Sequence, residues 1–193
     1  MWNLLPNKVK TFIIVGISIS LFLLINQCFG VTFLRAISYT VTTITILAWL
    51  YGKYLWKYCY PQILKEKFCP DFNGEWDVTI KSNFNGSTDV TFPITIEADF
   101  FGVKMRGATT VGQTHANYCR IIRNEDDSFG LEYMYKVYND KQSKTDTSYY
   151  EGAARLRLLD IKEMKMEGVY WTNRCWQNEK NTAGTIKLIK HRD

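Results

Sequence analysis

The hydrophobic positions along the chain follow two different patterns. No residue between 11 and 34 is charged, and the apolar centre of this stretch reads TFIIVGISISLFLLI. Residues 36–52, AISYTVTTITILAWLYG, are again uncharged and lead into KYLWKYCY. A membrane-spanning helix needs about 20 mainly apolar residues, and Trp and Tyr concentrate at the membrane interface. The pattern therefore predicts a two-helix transmembrane hairpin over residues 1–60.

A cleaved signal peptide is the alternative for the first apolar stretch. The stretch is long, no small-x-small cleavage site follows it, and a second apolar stretch comes directly after. A lipoprotein signal ending at Cys28 is disfavoured as well, because Asn26 and Gln27 stand where small residues are expected. Both observations favour a retained hairpin.

From residue 71 the pattern changes to a period of two. In EWDVTIKS, for example, Trp76, Val78 and Ile80 alternate with polar residues. Eight such runs occur, separated by turn sequences such as Asn85-Gly86 and NEDDSFG. Eight antiparallel strands at this spacing close into a barrel. We predict an all-β domain over 71–193, an up-and-down eight-stranded barrel with lipocalin-like architecture, joined to the hairpin by a basic linker, 61–70. Pro93 inside the second run suggests an edge-like position or a bulge.

Charge is distributed unevenly between these two parts. Residues 1–70 hold seven Lys and Arg against one Glu, whereas residues 71–193 hold seventeen basic and eighteen acidic residues. The nearly neutral barrel lacks the broad positive field that a nucleic-acid polymer requires. Lys8 and Lys10 precede the first span, four Lys follow the second, and only Arg35 lies between. The positive-inside rule therefore predicts cytoplasmic N- and C-termini and a cytosolic barrel.

Few residues in the chain are candidates for catalysis or metal binding. The five cysteines include no Cys-x-x-Cys pair and the chain has two histidines, so neither a disulfide framework nor a metal site is indicated. We expect buried, reduced thiols. Cys119 and His115 are too far apart on an extended strand to act as a catalytic pair. No catalytic motif is present, and we expect a protein that is not an enzyme and carries no cofactor.

Aromatic and arginine side chains supply the candidate binding site. Aromatic faces stack on bases, and guanidinium groups match phosphate oxygens. The densest group lies in EGVYWTNRCW, and strands before it add arginines and a tyrosine. The candidate ligand-binding residues are Tyr170, Trp171, Thr172, Asn173, Arg174, Arg155, Arg157, Arg120 and Tyr133. For each one alone, an ordinary core or surface position is the alternative.

A polar stripe marks one face of the second span. Ser38, Thr42 and Thr45 recur at helical spacing, and small polar residues commonly line contacts between spans. The stripe is a candidate face for association between protomers, and packing against Gly16 and Ser20 of the first span is the alternative.

Gly74-x-Trp76 at the start of the first strand resembles the lipocalin signature, in which the Trp closes one end of the barrel. The Thr-Asp-Tyr motif of that family is not found, so the resemblance concerns architecture.

A second resemblance covers nearly the whole chain. Two apolar segments, a short basic linker, PDFNGEWDVTIKS, and then GVYWTNR and GTIKL are similar to the two-transmembrane β-barrel effectors of CBASS, a bacterial anti-phage defence. The resemblance is carried by Pro70, Asp71, Gly74, Trp76, Gly168, Tyr170, Trp171 and Gly184. It implies that the barrel senses a cyclic dinucleotide made by a partner nucleotidyltransferase and that protomers then associate. It also implies that the spans lie in the bacterial inner membrane and disrupt its lipid bilayer.

Two alternatives of other classes remain at this point. A membrane-tethered carrier of an apolar ligand would have an interior lined by Phe, Met and Leu without a buried Arg. A protein-binding adaptor would have a filled barrel without a cavity.

Overall fold

The structure is a computed structural model that describes residues 1–60, 68–83, 89–109, 112–139, 147–179 and 181–191. Its contacts divide the chain into two compact units, residues 1–61 with 99–101 and residues 62–98 with 102–193. Most of the predicted linker, residues 61–67, lies outside the described residues, so its boundaries stay a prediction.

The first unit contains two apolar helices. Helix α1 spans Asn7–Phe29 and helix α2 spans Phe33–Leu50, followed by a π-helical turn at Tyr51–Leu55. Gly30 ends α1 in the left-handed conformation, with φ of 56°, and its amide donates to the Asn26 carbonyl oxygen. At about 1.5 Å per residue, α1 is long enough for a hydrocarbon core of about 30 Å. Among the described residues these two helices are long and apolar enough to cross a membrane, which suggests membrane association.

The predicted polar stripe does not form the contact between the helices. On α2, the buried residues are Ala36 and Thr40, and the Thr40 hydroxyl donates to the Ala36 carbonyl oxygen at 2.8 Å. Ser38, Thr42 and Thr45 are exposed. Gly16 on α1 has open space where a Cβ would stand. The alternative of packing within the hairpin is therefore not supported, and association between protomers through this stripe stays a prediction.

The second unit is a closed antiparallel barrel of eight strands in sequence order, with β8 pairing back onto β1. Its strands are β1 Gly74–Ser82, β2 Val90–Ala98, β3 Val103–Thr109, β4 Gly112–Arg123, β5 Phe129–Asn139, β6 Tyr149–Asp160, β7 Lys165–Thr172 and β8 Ala183–Lys190. This confirms the predicted fold class of a two-helix segment followed by an up-and-down β-barrel.

Alternating side chains produce the closure. Trp76 and Val78 on β1 and Ile186 and Leu188 on β8 are buried. Between them, Asp77 on β1 and Lys187 on β8 are exposed. The inward residues pack against one another, and closure removes the sheet edges. Pro93 lies on β2 next to Ile94, where the β2–β3 ladder ends. That edge-like position agrees with the expectation for a proline inside a strand.

Trp76 fills the interior near one end of the barrel. Its side chain is fully buried and stacks on Phe72, with ring centroids 6.2 Å apart. The indole nitrogen donates to the Phe72 carbonyl oxygen at 3.0 Å, so the one polar atom of the side chain is satisfied. Trp76 thus occupies the place that the lipocalin resemblance implies.

Candidate functional site

Tyrosines converge inside the barrel at the end away from Trp76. This interior tyrosine cluster consists of Tyr133 and Tyr135 on β5, Tyr150 on β6 and Tyr170 on β7. Tyr133 and Tyr170 are only 6% and 5% exposed, and the rings of Tyr133 and Tyr135 lie 5.6 Å apart. Aromatic side chains with hydroxyl groups therefore line the interior at this end of the barrel.

Small residues on β6 make room for these rings. The register pairs Tyr133 with Ala154 and Ala154 with Tyr170, and it pairs Tyr135 with Gly152 and Gly152 with Thr172. A Cβ on Gly152 would lie 2.5 Å from the Tyr135 ring and 2.8 Å from the Trp171 carbonyl oxygen. The alternation of large and small residues thus determines where the tyrosine rings lie.

Replacing Gly152 by Ala is expected to destabilise the barrel by about 1–3 kcal/mol, because the added methyl displaces Tyr135 or the β7 backbone. Urea unfolding followed by circular dichroism measures the change. Ala153→Ser at the next position, whose side chain faces outward, is the matched control and should change stability by no more than about 0.5 kcal/mol. Equal stability of the Gly152→Ala variant and the wild type would show that the barrel has room for a side chain at position 152, contrary to this interpretation.

Burial raises the pKa values of two tyrosines in the cluster and of the neighbouring Cys119. Burial, followed by the neighbouring Tyr133, Tyr150 and Tyr170, raises the pKa of Tyr135 far above its ordinary value. Burial and then Cys119 raise the pKa of Tyr133. Burial also raises the pKa of Cys119 to about 12. Tyr133, Tyr135 and the Cys119 thiol are therefore uncharged at neutral pH.

Polar groups surround the cluster at the barrel mouth, where β5 and β7 end and β6 begins. The buried hydroxyl of Thr172 lies 2.8 Å from that of Thr182. Arg174 follows β7, and its guanidinium carbon lies 5.3 Å from the centre of the Tyr150 ring. Asn173 holds the start of β6, since its side-chain oxygen accepts from the Glu151 amide at 2.7 Å. The mouth thus places the Arg174 cation directly beside Tyr150.

The remaining predicted site residues lie on the outer face of the barrel. Trp171 is 51% exposed, and Arg120 is exposed on β4. Arg155 donates to the Glu132 carboxylate at 2.6 Å, and Arg157 pairs with Asp126. The structure therefore divides the nine candidates into a mouth group of Tyr133, Tyr170, Thr172, Asn173 and Arg174 and an outer group of Arg120, Arg155, Arg157 and Trp171.

Sequence reasoning left two cluster members out of the candidate set. Tyr135 shares the inward face with Tyr133, and Tyr150 precedes the alternating small residues Gly152 and Ala154. The combination of large residues on one strand and small residues at alternate positions on the next is the signal that identifies them.

Other features of the described residues add no chemistry to the mouth. A depression of about 420 Å³ lies at the opposite end, lined mainly by Phe129, Leu158, Leu159 and Ile161 with Arg123 at its side. Among the described residues, no group of three or more His, Cys, Asp or Glu could hold a metal ion. The barrel cysteines Cys69 and Cys175 are buried and Cys119 is half-buried.

Comparison with known proteins identifies the barrel. Residues 67–190 match the family described as "Cap15, cyclic dinucleotide receptor domain". The chain belongs to the Cap15 family. It is also 60% identical over 190 residues to CD-NTase-associated protein 15 of Escherichia albertii, with 98% of each chain covered. The predicted resemblance to a CBASS effector is therefore confirmed.

The receptor domain of the Cap15 family fits a cyclic dinucleotide as its activating ligand. Among the described barrel residues the buried polar side chains are Asn139 and Thr172, and no Arg or Lys is buried. An interior without buried Arg is also what the carrier alternative predicted, so this feature alone does not separate the two functions. Membership of the Cap15 family favours the nucleotide, and the tyrosine-lined mouth differs from the Phe, Met and Leu lining expected of a carrier.

Proposed function

We propose that this chain is a cyclic-dinucleotide-gated membrane effector of anti-phage defence. In this proposal the mouth of the barrel binds a messenger released by a partner nucleotidyltransferase, ligand-bound protomers associate, and the transmembrane helices disrupt the inner membrane. The N- and C-termini and the barrel lie on the cytoplasmic side. No covalent chemistry is needed, because a ligand that binds the associated state more tightly shifts the population toward it.

The observation that carries the proposal is the convergence of four tyrosines with the Arg174 guanidinium at the mouth. Tyrosine rings offer stacking surfaces for bases, and their hydroxyls can donate to or accept from base edges. Arg174 stands at the rim, where a phosphate can approach it without entering the uncharged interior. A base would therefore occupy the mouth while the phosphates stay at the rim.

The outer arginines are weaker candidates for phosphate binding. Arg155 and Arg157 point to the outer face, away from the interior tyrosine cluster, and pair with carboxylates there. We therefore assign ligand binding to the mouth group, extended by Tyr135 and Tyr150.

The two apolar helices and the polar stripe support the membrane part of the proposal. Ser38, Thr42 and Thr45 are exposed on α2 and available to a second hairpin. Hydrogen bonds and close packing between such residues stabilise associated spans in lipid.

A melting experiment on the full chain in detergent tests the receptor function. The chain is incubated with cyclic di-AMP, cyclic di-GMP or cyclic GMP–AMP, and with fatty acids as the opposing set. One cyclic dinucleotide is expected to raise the melting temperature, since a ligand at 100 times its Kd stabilises by about 2.7 kcal/mol. Arg174→Ala should abolish this shift and leave the melting temperature without ligand nearly unchanged.

Arg157→Ala is the matched control, because it removes an arginine from the outer face. Its ligand shift should equal that of the wild type. Loss of the shift in Arg157→Ala but not in Arg174→Ala would move the site to the outer face, and a shift with fatty acids alone would support the carrier function.

A further inference from the structure

An apolar row crosses the outer face of the barrel. The register pairs Tyr118 with Met134, Met134 with Ala153, Ala153 with Trp171, and Trp171 with Ala183, so five cross-strand neighbours on β4 to β8 are apolar. Tyr118, Met134 and Trp171 are 46%, 56% and 51% exposed. Outward positions of a solvated barrel are usually polar, and a contiguous exposed apolar patch indicates an interaction surface.

A β-bulge places Tyr118 in this apolar row. The β4–β5 register shifts between Ala116 and Tyr118, which leaves Asn117 without a counterpart on β5. Beyond the bulge, Cys119 pairs with Tyr133 on the inner face and Tyr118 pairs with Met134 on the outer face. Bulges change the direction in which side chains point, and this one extends the apolar row to β4.

Charged residues border the apolar row on both sides. On one side Glu132 and Arg155 face each other on β5 and β6, and on the other side Lys136 and Glu151 do so. These four charges sum to zero, and β5 and β6 each carry opposite signs on the two sides of the row. Arg120 on β4, which pairs with Glu132, adds one positive charge at the edge of the row. A surface with this arrangement is complementary to itself.

We propose that the apolar row is the contact surface between the barrels of two copies of this chain, related by a two-fold axis along the row. That axis places Glu132 opposite Lys136 of the partner copy and Arg155 opposite Glu151 of the partner copy. Met134, Ala153 and Trp171 then pack against the same residues of the partner copy, as in any isologous interface, and Tyr118 and Ala183 lie at the edges of the contact. The inference rests on the self-association in the proposed function and specifies the surface that performs it.

The size of the surface explains why association would need the membrane. Five neighbouring strands follow half of the circumference of an eight-stranded barrel, so only the middle three, β5 to β7, can face one partner copy. Three strands about 4.8 Å apart and three outward rows of side chains about 7 Å apart cover about 200 Å² on each copy. Stable dimers bury about 800 Å² per partner. The contact is therefore weak between free barrels, and the increase in effective concentration from tethering to one membrane makes it effective.

Cross-linking of the full chain in membranes tests the surface. The exposed Cys28 and Cys59 are replaced by Ser, and Ala153→Cys puts a thiol at the centre of the row. Facing sheets pack about 10 Å apart, so a short bismaleimide is used to bridge the thiols. Ala153→Cys is expected to give cross-linked dimer. The cyclic dinucleotide that raises the melting temperature should increase the yield of this dimer further. Ile189→Cys, on an outward position of β8 that is 49% exposed, is the control and should give little dimer.

Charge exchanges within each border test the two-fold relation. Glu132→Arg with Arg155→Glu keeps composition, net charge and the pairing across β5 and β6, but like charges then face each other between copies. Lys136→Glu with Glu151→Lys has the same effect from the other side. Each exchange should reduce dimer formation by Ala153→Cys on the order of tenfold. Mixing the two exchanged chains should restore the yield, because every facing pair is again opposite in sign.

The outcomes separate this inference from the receptor function. A melting shift by a cyclic dinucleotide with no excess of dimer at position 153 over position 189 would overturn the surface and leave the receptor function intact. The proposed surface would also be overturned if neither charge exchange reduced the yield of cross-linked dimer. Dimer with the exchange pattern but without any melting shift would support the surface and count against these three dinucleotides as ligands.

Discussion

Replacing Trp76 by Ala is expected to lower the free energy of unfolding of the barrel by about 3–5 kcal/mol, the range observed for Trp and Phe truncations in protein cores. The side chain is fully buried, stacks on Phe72 and donates to the Phe72 carbonyl oxygen. Its removal leaves a large cavity and an acceptor without its donor. Because domains of this size are stable by only about 5–15 kcal/mol, the loss is a large part of the total.

Trp171→Ala is the matched control for this prediction. The same side chain is removed, but from an outward position that is 51% exposed, so the change should stay within about 1 kcal/mol. Urea unfolding of residues 68–193, followed by circular dichroism, measures both variants. Similar losses in the two variants would show that Trp76 does not hold the closed end of the barrel.

The fold could be predicted because its signals are local. Uncharged stretches of membrane-spanning length indicated the two helices, and a period of two with turn residues between runs indicated eight strands. Trp76 could be placed as well, because the same alternation assigns it to the inward face with Val78 and Ile80. Each of these patterns is visible within one segment of the sequence, and none of them depends on the register between neighbouring strands.

The binding site could be predicted only in part, because strand parity and register decide it. Tyr170 and Trp171 are adjacent in sequence and lie on opposite faces. Arg155 and Arg157 share a face, but only the structure shows that it is the outer one, where both pair with acids. The bulge at Asn117 reverses the faces of the residues beyond it on β4, and nothing in the local sequence indicates it.

Deleting the hairpin is expected to separate ligand binding from membrane disruption. Residues 68–193 contain all eight strands of the closed barrel, so this fragment should show the same melting shift with the activating cyclic dinucleotide as the full chain. It lacks both apolar helices, so it should release no dye from vesicles of phosphatidylethanolamine and phosphatidylglycerol. The full chain reconstituted in the same vesicles should release dye only when the cyclic dinucleotide is added.

Two further chains determine which part fails if dye is not released. Full-length Arg174→Ala keeps both helices but should lose the melting shift, so its vesicles should stay sealed with the ligand present. A chain without residues 33–60 keeps α1 and the barrel, and it should bind the ligand and remain inactive if disruption needs both spans. Dye release by the soluble fragment would contradict the proposed mechanism, because the barrel alone offers no element that can cross a bilayer as a helix. Release by the full chain without ligand would instead place the gate elsewhere than at the barrel mouth.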